Sequence, residues 1–173
     1  MLVIATSRRA SRDFTSKAIP PNGFTLVEAL TVLAVVAVLA AIAMPSLANV
    51  LAAQRLRAAG TDLMSSLLLA RSEAIKRNAR IVVAPRTPGD WKSGWRVATA
   101  ATNEQVDRKE PLGVRVDVSL APAELVYERN GRLGVPGVTQ FEFRDGHGEP
   151  GVHSRCVLID SSGLPRLQVG GCA

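Results

Sequence analysis

The chain has 173 residues, a formal net charge of +6, and 47% apolar but only 4% aromatic side chains. That length fits one small domain plus one long helix. Residues 1–23 hold four basic and one acidic side chain, which leaves roughly +3 for the remaining 150 residues, too slight an excess to argue for a nucleic-acid partner by itself.

Arg8, Arg9, Arg12 and Lys17, against Asp13, make a basic, non-apolar leader of the kind held on the cytoplasmic side of a membrane. Gly23-Phe24-Thr25-Leu26-Val27-Glu28 then leads into an uncharged run from Ala29 to Val50. The apolar segment from Phe24 to about Leu51 would be about 42 Å long as a helix, ample for a bilayer. A lone acid at its head, Glu28, is expensive in hydrocarbon and is a functional-site candidate by default. Pro45 falls inside the segment, where a proline predicts a kink or local melting. Beyond it Leu63, Leu67, Ala70 and Ala74 recur at spacings of three and four, with Asp62, Ser65, Ser66, Ser72, Glu73, Lys76 and Arg77 on the other face. Phe24 to Asn78 reads as one helix of about 80 Å, half in lipid and half packed on a globular domain.

From Ile81 onward the pattern is of strands and turns. Ile81-Val82-Val83-Ala84 is an apolar run stopped by Pro85 and the Pro88-Gly89-Asp90 turn, and Trp91 to Val97 follows. Thr102 to Glu110 reads as a loop. Val114, Val116, Val118 and Leu120 alternate with Arg115, Asp117 and Ser119, which predicts a half-buried strand. Leu125 to Tyr127 and the segment after Arg132 flank a tight-turn signal at Asn130-Gly131. Val138 to Phe143, Cys156 to Ile159 and Arg166 to Val169 bring the total to about seven short strands. The fold class is α+β, a long N-terminal helix laid across a small antiparallel sheet.

Gly23-Phe24-Thr25-Leu26-Val27-Glu28 resembles the prepilin processing site of type IV pilins and type II secretion pseudopilins. The resemblance implies a prepilin peptidase that cuts after Gly23 and methylates the new N-terminal Phe24. The freed amine of Phe24 would lie one helical turn from Glu28, so that amine and acid neutralise each other between neighbouring subunits and offset their burial cost. Two rival readings are an ordinary signal anchor, with Glu28 merely at the interface, and a secretory signal peptide ending at Ala41-Ile42-Ala43. The second would need an n-region about twice the usual length that ends in an acid.

Three later stretches resemble GspH/FimT-type pseudopilins: the helix end Leu69-Ala70-Arg71-Ser72-Glu73-Ala74-Ile75-Lys76-Arg77-Asn78, the Trp91-Lys92-Ser93-Gly94-Trp95 strand, and the Arg155-Cys156-Val157-Leu158-Ile159-Asp160-Ser161-Ser162-Gly163 hairpin. The arginine-rich helix end also reads as a solvated face with cations well placed at a C-terminus. Trp91 and Trp95, four apart on a strand, share one face and would pack on the helix. Cys156 and Cys172 lie in what would be the periplasmic part, where a pair reads as a disulfide rather than two buried thiols. DNA-receptor members of the family carry a C-terminal Gly-Arg-x-Arg pattern. Here Gly163-Leu164-Pro165-Arg166 has Leu164 where the first arginine would be, which argues against DNA as a partner. A remaining patch would have to come from Arg155, Arg166, Arg132 and Arg129.

His147 and His153 flank Asp145 and Glu149 in a stretch of turn composition, read as a flexible hairpin loop and not as a metal site. No serine has a paired histidine and acid in a recognised motif. The reading is therefore a non-enzyme without metal or cofactor. It divides into a cleaved leader (1–23), a membrane and assembly helix (24–51), its amphipathic continuation (52–80), and a periplasmic β-rich domain (81–173). The resemblance implies a minor pilin or pseudopilin of the inner membrane, near the tip of a filament it helps to initiate. Its partners would be prepilin peptidase, other pilins through the N-terminal helix, and inner-membrane lipid. The alternatives are a DNA-binding minor pilin for natural transformation and a single-pass anchored periplasmic binding domain.

Overall fold

The computed structural model describes residues 23–148 and 150–172, with the side chains of Met44 and Pro45 excepted. The leader charges from Arg8 to Lys17, and Glu149, lie outside the described residues. What is described falls into two compact units that part between Ala40 and Ala41.

The first unit is helical from Leu26, the start of α1 (Leu26–Arg77), which is assigned as helix without interruption through Pro45. The window from Leu26 to Ala43 has a mean hydropathy of 2.6 and none of its side chains is buried. A core helix of comparable apolarity would be covered. A continuous bare apolar surface marks a membrane or a partner.

In the second unit the rest of α1 supplies one wall of the core. Ala52, Leu56, Ala59, Leu63, Leu67, Ala70 and Ala74 are all buried, at the three-and-four spacing that puts them on one stripe. Ser66 and Glu73, expected on the outer face, are buried as well. Glu73 is tolerated there because Arg77 Nε reaches it at 2.5 Å and Lys76 at 3.5 Å. Small side chains on the stripe let strands approach closely: a methyl at Gly60 would come within 2.8 Å of Leu167 Cδ1. The helix closes on Asn78, whose φ of 49° turns the chain so that Ala79 N donates to Ala74 O at 3.2 Å, a Schellman ending with asparagine in the left-handed position.

Eight strands follow: β1 (Ile81–Thr87), β2 (Asp90–Thr99), β3 (Gln105–Arg108), β4 (Val116–Ser119), β5 (Leu125–Tyr127), β6 (Thr139–Asp145), β7 (Arg155–Ile159) and β8 (Pro165–Val169). They form two antiparallel four-stranded sheets, ordered β3-β2-β1-β5 and β4-β6-β7-β8. The α+β class holds, but four strand expectations change. Pro85 does not stop β1, which carries on to Thr87 with a register irregularity that absorbs the missing donor. The stretch expected as a loop from Thr102 to Glu110 contains β3, paired on the edge of β2. Val114 and Leu120 are exposed and fall outside β4. After Arg132 there is only an isolated bridge, Tyr127 to Leu133.

The two sheets and α1 share one core of fully buried Trp95, Phe141, Phe143, Val157, Ile159, Ile81, Val83 and Tyr127 with the helix stripe. Each large apolar side chain so buried contributes roughly 1.5–3 kcal/mol. Trp91 joins the sheets directly: its ring meets Phe141 edge-on at 4.7 Å between centroids, and its Nε1 donates to Pro122 O at 2.7 Å. Both tryptophans are buried in the shared core, and where the sequence predicted packing on the helix the contact of Trp91 is with the second sheet.

Candidate functional sites

At the N-terminus, Gly23, Phe24 and Thr25 precede the helix and are exposed. Thr25 Oγ1 accepts from Glu28 N at 3.2 Å, and Ala29 N donates to Thr25 O at 3.1 Å. Thr25 is therefore the N-cap, and Glu28 stands three residues on, at capping-box spacing, as the acid of the first turn. A carboxylate there is favoured by the helix dipole. The Thr-x-x-Glu signal was present in the sequence but was overshadowed by the processing motif that contains it.

At the C-terminus, Cys156 and Cys172 form a disulfide with their Cα atoms 5.2 Å apart. Glu142 lies opposite Cys156 across the β6–β7 ladder and is buried on the face away from the core. Arg144 Nη2 meets its Oε2 at 2.6 Å, and Ser119 Oγ donates to it at 3.5 Å. A methyl at Gly171, next to Cys172, would fall 2.9 Å from Glu142 Oε1. The disulfide thus fastens the chain end over this carboxylate. The Arg144 hydrogen bond holds the Glu142 carboxyl below its ordinary value, outweighing burial, which pushes it up; Ser154 and Ser119 add to the lowering. Nothing in the sequence marks Glu142 beyond its place in a strand of alternating residues.

Arg155 and Arg166 are not brought together. In the β7–β8 ladder Arg155 faces Val169 and Arg166 faces Leu158. Those positions are three apart along β7, an odd number, so the two side chains leave opposite faces of the sheet. Arg155 is on the α1 side. Arg166 is near Asp160, whose carboxyl is held down first by hydrogen bonds from Ser162 and further by the Arg166 charge. Arg129 and Arg132 border the Asn130-Gly131 turn, which packs on Gly163 at the other end of the ladder from Arg155. The four arginines from which a patch would have to come are therefore divided. The helix-end cations are structural: Arg71 Nε donates to Gly131 O at 3.1 Å, and Arg77 bridges Glu73 and Glu104. Around the β6–β7 hairpin, Asp145 pairs with Arg115 at 3.8 Å, and among the described residues no three metal-ligand side chains converge.

A bare apolar helix with a capped acidic start, continuing as the spine of a small two-sheet domain, defines a pilin-like filament subunit. Residues 21–44 match the model of the prokaryotic N-terminal methylation motif, and residues 59–163 match that of type II transport protein GspH. The second match spans more than half of the chain, which belongs to the GspH family of pseudopilins and minor pilins, structural subunits and not enzymes. Family membership carries with it assembly with other pilins and peptidase processing of the N-terminal motif.

Among solved structures, the chain is similar to the type IV minor pilin FimU of Pseudomonas aeruginosa in two crystal forms. One has 21% identity and a TM-score of 0.54, covering 68% of this chain and 90% of that one; the other has 22% identity and a TM-score of 0.53, covering 66% and 92%. At this identity the likeness is one of fold. The minor pseudopilin EpsH of the Vibrio cholerae type II secretion system also matches, at 16% identity and a TM-score of 0.48, over 65% of this chain and 95% of that one. No curated protein matches the chain significantly.

Proposed function

We propose that the protein is a minor subunit of a type IV pilus or a type II secretion pseudopilus, held in the bacterial inner membrane with its sheets in the periplasm. It takes a place near the filament tip, where assembly begins. Residues 1–23 are the leader, 24–51 the membrane and assembly helix, 52–80 its amphipathic continuation, and 81–173 the periplasmic domain. The observation that carries this reading is the uncovered apolar helix Leu26–Ala43, headed by Gly23-Phe24 and the single acid Glu28. The peptidase cuts after Gly23 and methylates Phe24. The carboxylate of Glu28 then meets the Phe24 amine of an adjoining subunit, and each offsets the desolvation of the other. A disulfide near the C-terminus suits the oxidising periplasm.

Intact-mass measurement of the membrane-extracted protein tests the reading. The expected species starts at Phe24 and carries one methyl group. A chain starting at Met44, or an uncut leader in a host with an active prepilin peptidase, would overturn it. DNA is not part of the proposal, because Leu164 interrupts the receptor pattern and Arg155 and Arg166 leave opposite faces of the sheet.

A further inference from the structure

A cleft of about 370 Å³ opens between α1 and the edge strand β8, lined by Arg57, Arg155, Leu167, Gln168 and Val169. Two arginines, Arg57 and Arg155, line it, and neither has an ion-pair partner among the described residues. The Nε–H of Arg155 is buried and finds no acceptor among them either. A buried donor left unpaired is uncommon and calls for an explanation. Two arginines at one cleft present planar, forked donors suited to a phosphate or carboxylate oxyanion. The wall beside them is apolar: Leu167 packs against Gly60, and Val169 is 66% exposed.

The surroundings indicate where such an oxyanion comes from. After Glu28 the first charged side chains in the chain are Arg55 and Arg57. Leu47, Val50 and Leu51 on α1 are all exposed apolar side chains, and Arg57 follows Leu51 by six residues, about 9 Å of helix. Arginine side chains in helices lean back toward the N-terminus, and they snorkel from apolar ground to a charged layer. We propose that the Arg57–Arg155 cleft binds the phosphate of an anionic phospholipid headgroup, with Leu167 and Val169 against its glycerol and upper acyl carbons. The inference rests on the membrane-anchored reading. It gives the domain a second attachment to the bilayer besides its helix.

The test uses the full chain in a non-ionic detergent, with native mass spectrometry as phosphatidylglycerol or phosphatidylcholine is titrated. Wild type should retain one phosphatidylglycerol at least tenfold more tightly than phosphatidylcholine, whose choline cation opposes the arginines. Arg57→Ala and Arg155→Gln should each lower that occupancy about tenfold. Arg57 is on an exposed helix face, so its variant keeps the test decisive even where Arg155→Gln fails to fold; circular dichroism and an intact disulfide mass report on folding. Equal retention of the two lipids, or full phosphatidylglycerol occupancy in Arg57→Ala, would overturn the proposal. So would displacement of the lipid by inorganic phosphate or by duplex DNA at matched concentration, which would assign the cleft to another source. The same spectra read the N-terminal mass, so failure of processing and failure of lipid binding are seen separately.

Discussion

Replacing Gly163 by alanine should be among the most damaging single changes outside the core. Gly163 has a φ of +80°, where an L side chain costs about 1–2 kcal/mol. The added methyl would run into the carbonyl oxygen of Gly131 and lie 2.9 Å from Tyr127 Cε1, both held by their own packing. The β7–β8 turn must then move, breaking the bond in which the buried Tyr127 hydroxyl donates to Gly163 O at 3.1 Å. An orphaned buried hydroxyl costs about 1–3 kcal/mol. The combined loss is about 2–5 kcal/mol, a large part of the roughly 5–15 kcal/mol that holds a domain folded. Tyr127→Phe, which removes only the hydroxyl, should cost about 1 kcal/mol. Leu164→Ala at the exposed neighbour should cost less than about 1 kcal/mol. Guanidinium unfolding of the full chain in detergent, followed by fluorescence of the buried Trp91 and Trp95, measures all three. A Gly163→Ala variant within 1 kcal/mol of wild type would refute the claim that this glycine is fixed by packing.

Three further outcomes are expected. Because the folded state depresses the Glu142 carboxyl, its contribution is fully present above the ordinary carboxylate range and disappears as pH falls through the lowered folded value. Glu142→Gln should therefore show a shallower loss of thermal midpoint on acidification than wild type, and an unchanged acid slope would discount the Arg144 contact. Reduction of Cys156–Cys172, which closes a loop with a sequence separation of 16, should lower stability by about 3 kcal/mol, and alkylation without reductant should label neither cysteine. Glu28→Ala and Glu28→Gln should insert in the membrane yet enter sheared filaments poorly. Glutamine keeps the side-chain size and the place three residues after Thr25 but not the charge, so normal incorporation of Glu28→Gln alone would discount the charge pairing.

The parts visible in the sequence were those governed by periodicity. The helix stripe at Leu63, Leu67, Ala70 and Ala74, the shared face of Trp91 and Trp95, and the N-terminal motif each depend on spacing along one element. What escaped depends on pairing between distant segments. The polar residues of β3 form a strand only because β2 offers an open edge, and β1 outruns Pro85 because its partner accommodates an irregular register. Ser66 and Glu73 looked like solvent positions until other elements covered them. The arginine surface failed as a single patch for a similar reason: the face that Arg155 or Arg166 occupies is set by the register of β7 on β8, and no count of cations contains that register. The cleft at Arg57 joins residues about 100 positions apart, beyond the reach of any local pattern.

The cap at Thr25 bears on how a protease would meet this chain. Proteases grip an extended backbone, and a helix buries its peptide groups in its own hydrogen bonds, so a cut within a helix first requires unwinding. The Gly23–Phe24 bond lies just ahead of the first helical turn, and Thr25 closes that turn from its own side chain. A peptidase acting there would find Gly23 and Phe24 outside the helix and exposed, with Thr25 marking where the helix begins. Thr25 and Glu28 both lie on the Phe24 side of that bond, so a cut there would leave the Thr25 cap in place. The processed subunit would keep the same first turn it had before cleavage.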